Sequence, residues 1–239
     1  MIQFKDATVV APDSGVTILH PTTLDLNEQR ISIVGANGSG KSTLARLING
    51  LVLPLEGSVT VDGLDTRKHG ALVRRKVGFL FTDPSSQLIM PTAIEDVTLS
   101  LRRVIGDKKE RAAAALAALE EIGLADKADV SVNALSGGQR QLLALAGVLA
   151  TTPSVVIADE PTTLLDLRWR AHVGALLHAL PIQVIEVTHD LEAAVRADRT
   201  LVVDDGSVVY DGVPIEAVTF YRELMFQRSI GHAPVGPAR

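Results

Sequence analysis

A chain of 239 residues is long enough for one large α/β domain or two small ones, and 46% hydrophobic with 21% charged residues is the composition of a packed core, not of a disordered segment. The absence of cysteine excludes a disulfide framework, a thiolate metal site and a thiol nucleophile. A net charge of −5 without any basic block argues against a nucleic-acid-binding surface, and the longest apolar run, 142–150, is far short of the roughly 20 residues that span a bilayer. The expectation is a soluble protein whose membrane role, if any, comes through a partner.

In chain order, 2–10 reads as a strand, without the charged start and apolar core of a signal peptide. Residues 24–26 read as a short second strand. The apolar run 31–34 leads into a glycine-rich loop, and 41–51 reads as a helix. Pro54 and Gly57 interrupt the chain before a strand at 58–61, closed by the turn pair Asp62-Gly63, and 77–81 is another strand. The character then changes to helix. Thr92-Ala-Ile-Glu95 is a capping box for a helix through about 104, 107–122 is alanine-rich and ends at Gly123, and 136–150 stops before Pro153. Strands return at 154–158 and 183–187, separated by a helix at 166–180 that Pro181 ends; 191–197 is helical. A hairpin forms around Asp204-Asp-Gly206; beyond Val213 the signal weakens, and the last residues, with Gly231, Pro234, Gly236 and Pro237, read as a frayed tail. Alternating strands and helices around an all-helical middle predict an α/β core with a helical insertion. The core takes residues 1–82 and 153–212, the helical subdomain 83–152, and a short tail 213–239.

The loop Gly35-Ala-Asn37-Gly38-Ser39-Gly40-Lys41-Ser42-Thr43, between a strand and a helix, has the P-loop arrangement. Glycines let successive N–H groups turn toward one anion, and the helix adds the positive end of its dipole. Lys41 is expected to reach the β- and γ-phosphates, and the Ser42 hydroxyl to ligate Mg²⁺. This predicts a nucleoside-triphosphate-binding protein.

Three further patterns narrow the chemistry. The strand 154–158 delivers Asp159 and Glu160 at its C-terminal end, where ligands bind in parallel sheets. Asp159 is expected to hold Mg²⁺ directly or through water, and Glu160 to polarise the attacking water as general base. Ser136-Gly137-Gly138-Gln139 opens a helix. Alone it is an ordinary N-cap and turn; beside a P-loop it reads as a second phosphate cradle, serving a nucleotide held by a neighbouring subunit. His189, after the late strand, fits either a helix cap or a sensor of the γ-phosphate that helps to hold the water.

These motifs, in this order and spacing, resemble the ATP-binding-cassette (ABC) ATPases over nearly the whole chain, through about residue 212. The resemblance identifies Walker A at 35–42, the signature at 136–139, Walker B with its glutamate at 155–160, the D-loop at 163–166 and the switch histidine at His189. It implies a P-loop NTPase (RecA-like) core with an N-terminal antiparallel β part and an inserted helical subdomain. It also implies ATP and Mg²⁺ as cofactors, and a head-to-tail dimer, homomeric or with a related ATPase, that sandwiches two ATP molecules. Two positions depart from the family pattern. The stretch after the first strand, Val9-Val10-Ala11-Pro12, has no aromatic residue to stack on adenine, and Thr82 stands where the family has glutamine near the metal.

Residues 81–97, with Asp83-Pro84, Gln87 and Thr92-Ala-Ile-Glu95-Asp96-Val97, resemble energy-coupling factor (ECF) ATPases, which drive prokaryotic vitamin and transition-metal uptake. There this stretch receives a coupling helix of a transmembrane scaffold protein, so Gln87, Leu88, Ile89 and Met90 are expected to face that partner; a competing expectation packs Leu88 and Ile89 inside. A small substrate-binding membrane protein is implied indirectly. The run 159–168 leans toward the biotin-transporter branch, with cobalt or nickel uptake, or another ABC importer, as alternatives. An ABC ATPase acting on nucleic acid or the ribosome is the alternative of another class. The implied location is peripheral, on the cytoplasmic face of a prokaryotic membrane.

Overall fold

The computed structural model describes residues 1–231. The chain runs through β1 (Ile2–Val10), β2 (Thr17–Leu26), β3 (Arg30–Val34), α1 (Lys41–Ile48), β4 (Glu56–Val61), β5 (Leu64–Asp65), α2 (Gly70–Lys76) and β6 (Val77–Leu80). Three helices follow, α3 (Ala93–Leu101), α4 (Lys108–Glu121) and α5 (Gly137–Leu149). It returns through β7 (Val155–Asp159), α6 (Leu167–Ala179), β8 (Gln183–Val187), α7 (Leu191–Val195), β9 (Arg199–Asp204), β10 (Ser207–Gly212) and α8 (Pro214–Gly231).

The strands form two sheets. One is antiparallel, in the order β2-β1-β4-β5; the other runs β10-β9-β3-β8-β7-β6 and is parallel except for β10. Strand alternation assigns the faces of the parallel sheet. Ile31, Ile33, Ile157 and Ile185 share one face, where Leu44, Leu47 and Ile48 of α1 join them to Ile2, Phe4 and Leu26 of the antiparallel sheet. Helix α1 is therefore clamped between two apolar surfaces, which fixes the loop that precedes it. Val156 and Ala158 point the other way, into a second core built with α3, α4, α5 and α6. Arg30 ties β3 to the end of α6 by donating to the carbonyls of His178, Leu180 and Ile182, which have no intrahelical donor there.

The structure extends the sequence reading in three places. Strand β2 begins at Thr17, not at 24, and contains Pro21. It lies at the sheet edge, where a missing N–H is tolerated. Residues 64–76, which carried no assignment, hold β5 and α2; the Asp65 carboxylate organises the connection by accepting from the N–H groups of Arg67 and Lys68. Residues 214–231, where the sequence signal weakens, are an 18-residue helix. Ala217 and Val218 bury against Val34, Ala194 and Val202, with Phe220 and Tyr221 packed alongside. The expected fraying at Pro234, Gly236 and Pro237 lies outside the described residues.

Candidate active site

Strand register builds the site. Ile33 pairs with Val187, Val187 with Asp159, and Leu80 with Ala158, so β3, β8, β7 and β6 end level with one another. The residues that leave the sheet at that edge are Gly35, Thr188-His189, Glu160 and Phe81-Thr82. Four separated sequence patterns thus open on one C-terminal edge.

The glycine loop is held in shape before any ligand arrives. Gly35 has φ +156° and lies so close to β9 that a Cβ there would sit 2.1 Å from the Val203 carbonyl oxygen. Gly40, at φ +103°, faces the Ile18 carbonyl, and Gly38 has φ +80°. The β9–β10 turn bears on the loop, Gly206 N–H donating to the Ser39 carbonyl at 2.9 Å. Helix α8 reaches the same turn through Arg228, which donates to Asp204 at 2.5 Å. The Ser39 hydroxyl is buried without a partner, and the amides that begin α1 have no intrahelical acceptor. An orphaned hydroxyl beside free amides is a donor set for an oxyanion.

Lys41 is buried, and its ammonium folds back to donate to the carbonyls of Gly35 and Ala36, both at 2.8 Å. Burial depresses its pKa, while the charges of Glu160 and Asp159 oppose the shift. The Ser42 hydroxyl donates to one oxygen of the buried Asp159 carboxylate at 2.8 Å, and Arg46 approaches the other at 3.2 Å. The Thr82 hydroxyl donates to the Asp159 main-chain carbonyl at 2.7 Å, which leaves its lone pairs free to accept. Glu160 sits in the left-handed region at φ +51°, a conformation that costs a non-glycine residue of order 1 kcal/mol or more. Its N–H donates to Val187, its carboxylate accepts from the Thr163 hydroxyl at 2.9 Å, and His189 Nδ1 lies 3.3 Å away. Lys41, Ser42, Asp159, Glu160, His189 and Thr82 are therefore one connected cluster.

The signature is elsewhere. Ser136 caps α5 reciprocally: it accepts from Gln139 N–H at 3.3 Å, and the Gln139 side chain accepts from Ser136 N–H at 2.9 Å. Ser136 and Gly137 are exposed while Gly138 is buried. Among the described residues no hydrogen bond joins 136–139 to the cluster around Lys41.

Sequence reasoning passed over Arg46 and Trp169, and took Thr163 and Asp96 only as members of the D-loop and of the 81–97 stretch, without their roles in holding Glu160 and residues 89–90. Arg46 was within reach of it, since it lies one helical turn beyond Ser42 and hence on the same face. Asp96 is buried and accepts from the N–H groups of Ile89 and Met90 at 2.8 and 2.9 Å, fixing the loop that precedes α3. Of that loop, Leu88 is buried, Gln87 turns inward toward Phe81 N–H and the Ala144 carbonyl, and Ile89 is 72% exposed.

With this geometry in place, residues 19–163 match the family model of ABC transporters. The chain is an ABC transporter ATPase. A transporter ATP-binding protein of Deinococcus radiodurans is 47% identical, over 87% of this chain and 92% of its own length. The biotin transport ATP-binding protein BioM of Rhizobium etli is 42% identical over 93% and 98%. The ECF transporter ATP-binding protein EcfA1 of Lactiplantibacillus plantarum is 40% identical over 78% and 68%. Among solved structures, CbiO1 of Clostridium perfringens, part of an ABC transporter complex, superposes with a TM-score of 0.80 at 27% identity over 98% of this chain and 95% of that one. The dimeric cassette MJ0796 with ADP and phosphate gives 0.79 at 32% over 90% and 99%. The P-loop NTPase fold, ATP binding and ATP hydrolysis follow for this ABC ATPase. No helix among the described residues is long and apolar enough to cross a membrane.

Proposed function

We propose that this ABC ATPase energises an ECF-type vitamin importer, with biotin as the solute, by coupling ATP-driven dimer closure to a transmembrane scaffold protein. The observation that carries this reading is the loop 87–90. Asp96 pins its backbone so that Ile89 stands out at 72% exposure, next to a cleft of about 310 Å³ whose lining includes Met90, Ile94, Leu99 and Arg102. A rigid loop with one outward aliphatic side chain suits an apolar helix docking from a scaffold. The 42% identity to a protein named for biotin transport supports the solute; cobalt or nickel is the alternative.

In this mechanism Lys41 leaves its own loop for the β- and γ-phosphates. Glu160, held by Thr163, takes the proton of the attacking water, and His189 holds that water against the γ-phosphate. Mg²⁺ fits the residues present: Ser42 and Asp159 are hard oxygen donors, and Mg²⁺ is commonly bound by one carboxylate plus substrate phosphates. When bound it neutralises charge on the phosphates. Thr82 supports that position through the Asp159 carbonyl. The signature residues Ser136, Gly137, Gly138 and Gln139 cradle the nucleotide of the opposite subunit, so that the dimer closes on two ATP molecules, on the cytoplasmic side of the membrane.

The test is tagged purification from gently solubilised membranes with mass spectrometry of what accompanies the chain. The expected result is a membrane scaffold and a small hydrophobic binding protein carrying biotin. Recovery with ribosomes or nucleic acid from the soluble fraction would overturn the importer reading.

A further inference from the structure

The two signature glycines are built differently. A Cβ at Gly137 would meet nothing within 4 Å, so its backbone is open to approach. A Cβ at Gly138 would lie 2.1 Å from Cδ2 and 2.2 Å from Cγ of Trp169. The indole therefore occupies the volume that any side chain at 138 would need. Trp169 is the single tryptophan of the chain and lies in the first turn of α6, half-buried, with His172 edge-on at 5.9 Å between ring centroids. Elsewhere the ring borders a cleft of about 510 Å³ lined also by Gln139 and Leu176. Close packing is thus concentrated on the glycine side.

The position of α6 is itself set from the active-site edge. Trp169 N–H donates to the Asp166 carboxylate at 3.0 Å, and Asp166 ends the loop that starts at Glu160. Near the start of that loop Thr163 donates to the Glu160 carboxylate. One ten-residue stretch, 160–169, thus carries the carboxylate of this chain's own nucleotide site at one end. At the other end it carries a ring seated against the helix that presents Ser136 and Gly137.

We propose that Trp169 is a positioning residue for the signature. Its contact with Gly138 sets the first turn of α5 relative to loop 160–166, and so places the Ser136 hydroxyl and the Gly137 amide for the nucleotide they receive. This rests on the reading that 136–139 serve the opposite subunit's nucleotide. Trp169 touches no nucleotide itself. Its contribution is geometric, because a 1 Å misplacement of a positioning group costs up to about 100-fold in rate. The pairing of a residue without a side chain and the largest side chain makes the contact specific in size.

The test is a size-exchange cycle in the purified full chain: Trp169→Ala, Trp169→Phe, Gly138→Ala and the double variant Gly138→Ala/Trp169→Ala. ATPase kcat, affinity for a fluorescent ATP analogue, thermal midpoint and ATP-driven dimer formation are read for each. Trp169→Ala is expected to lower kcat at least tenfold while analogue affinity, set by Walker A, stays within twofold; Trp169→Phe recovers most of the rate. Gly138→Ala is expected to lose at least tenfold, and removing the ring in the double variant to restore part of that loss. Wild-type kcat in Trp169→Ala, or a double variant no better than Gly138→Ala, would overturn the proposal. Should Trp169→Ala melt early, the Phe variant and the rescue decide alone. Ser136→Arg run beside them separates the two readings: if it still forms the ATP-bound dimer, the cross-subunit cradle is wrong, whereas normal Trp169 variants beside a blocked Ser136→Arg overturn only the positioning role.

Discussion

Replacing Glu186 by glutamine is expected to change how stability depends on pH. Glu186 lies on β8, three residues before His189, and lines a cleft of about 790 Å³ between α6 and α7 together with Arg170, His178, Asp190 and Arg196. Burial pushes its carboxyl up, Asp190 adds to the shift and Arg196 opposes it, leaving a pKa of about 7 against an ordinary 4.5. The unfolded chain therefore releases this proton near pH 4.5 and the folded chain only near 7. Between those values the unfolded state binds fewer protons, so stability falls as pH rises. A gap of about 2.5 pH units, at about 1.36 kcal/mol each, sets a ceiling of about 3 kcal/mol, reached above pH 7. Glutamine keeps the shape and cannot ionise. In urea melts followed by Trp169 fluorescence, the stability of Glu186→Gln minus that of wild type should grow by about 3 kcal/mol between pH 4.5 and 8. A difference that stays flat within about 0.5 kcal/mol across that range would refute the assignment of a half-buried, late-ionising carboxyl, since that is the usual size of a neutral surface change.

The remaining predictions concern the nucleotide. Lys41→Ala should abolish saturable binding of a fluorescent ATP analogue, and normal turnover in that variant would remove the P-loop role. Glu160→Gln should bind ATP yet lower kcat at least 100-fold, about 2.7 kcal/mol of barrier, with the ATP-bound dimer persisting in light scattering; undiminished turnover would rule out the general base. Ser136→Arg should leave analogue binding intact and prevent ATP-driven dimerisation, because it places a bulky cation in the shared site; a dimer that still forms contradicts the cross-subunit cradle.

The strands and helices that build the site were legible because each carries its own punctuation. Thr92 and Glu95 show it: the carboxylate accepts from the Thr92 N–H at 3.2 Å, as the capping box predicts, and also from the Thr92 hydroxyl at 2.8 Å. Strand β2 was underread because His20-Pro21 breaks its alternation, and only the sheet shows that the proline falls on an edge. Helix α8 was missed because its apolar residues form no single stripe: Ala217 and Val218 are buried while Ile215 and Phe226 are exposed. In the site, the chemistry-bearing types announced themselves through glycine spacing and strand-end carboxylates. Their supports did not. Arg46 acts on Asp159, which is adjacent only after folding, and its spacing from Ser42 is the one local hint; the D-loop and the 92–97 motif mark Thr163 and Asp96 without revealing that they hold Glu160 and the backbone of 89–90.

The cluster around Lys41 makes nucleotide binding an exchange of partners. Lys41 already makes two hydrogen bonds to its own loop, and Ser42 already holds Asp159. Hydrogen bonds to charged groups are each worth about 1.5–3 kcal/mol, so phosphate contacts gain only the difference between new partners and old. What the resting contacts provide is shape. Because Gly35 and Gly40 lie against the carbonyls of Val203 and Ile18, and Gly206 braces Ser39 from the hairpin turn, the loop stays open when the lysine leaves it. Little ordering entropy then remains to be lost on binding. The same economy explains the strained Glu160: a left-handed residue at the end of β7 aims its carboxylate away from the strand axis toward Thr163 and His189. The burial of β7 on both faces supplies the stability that holds it there.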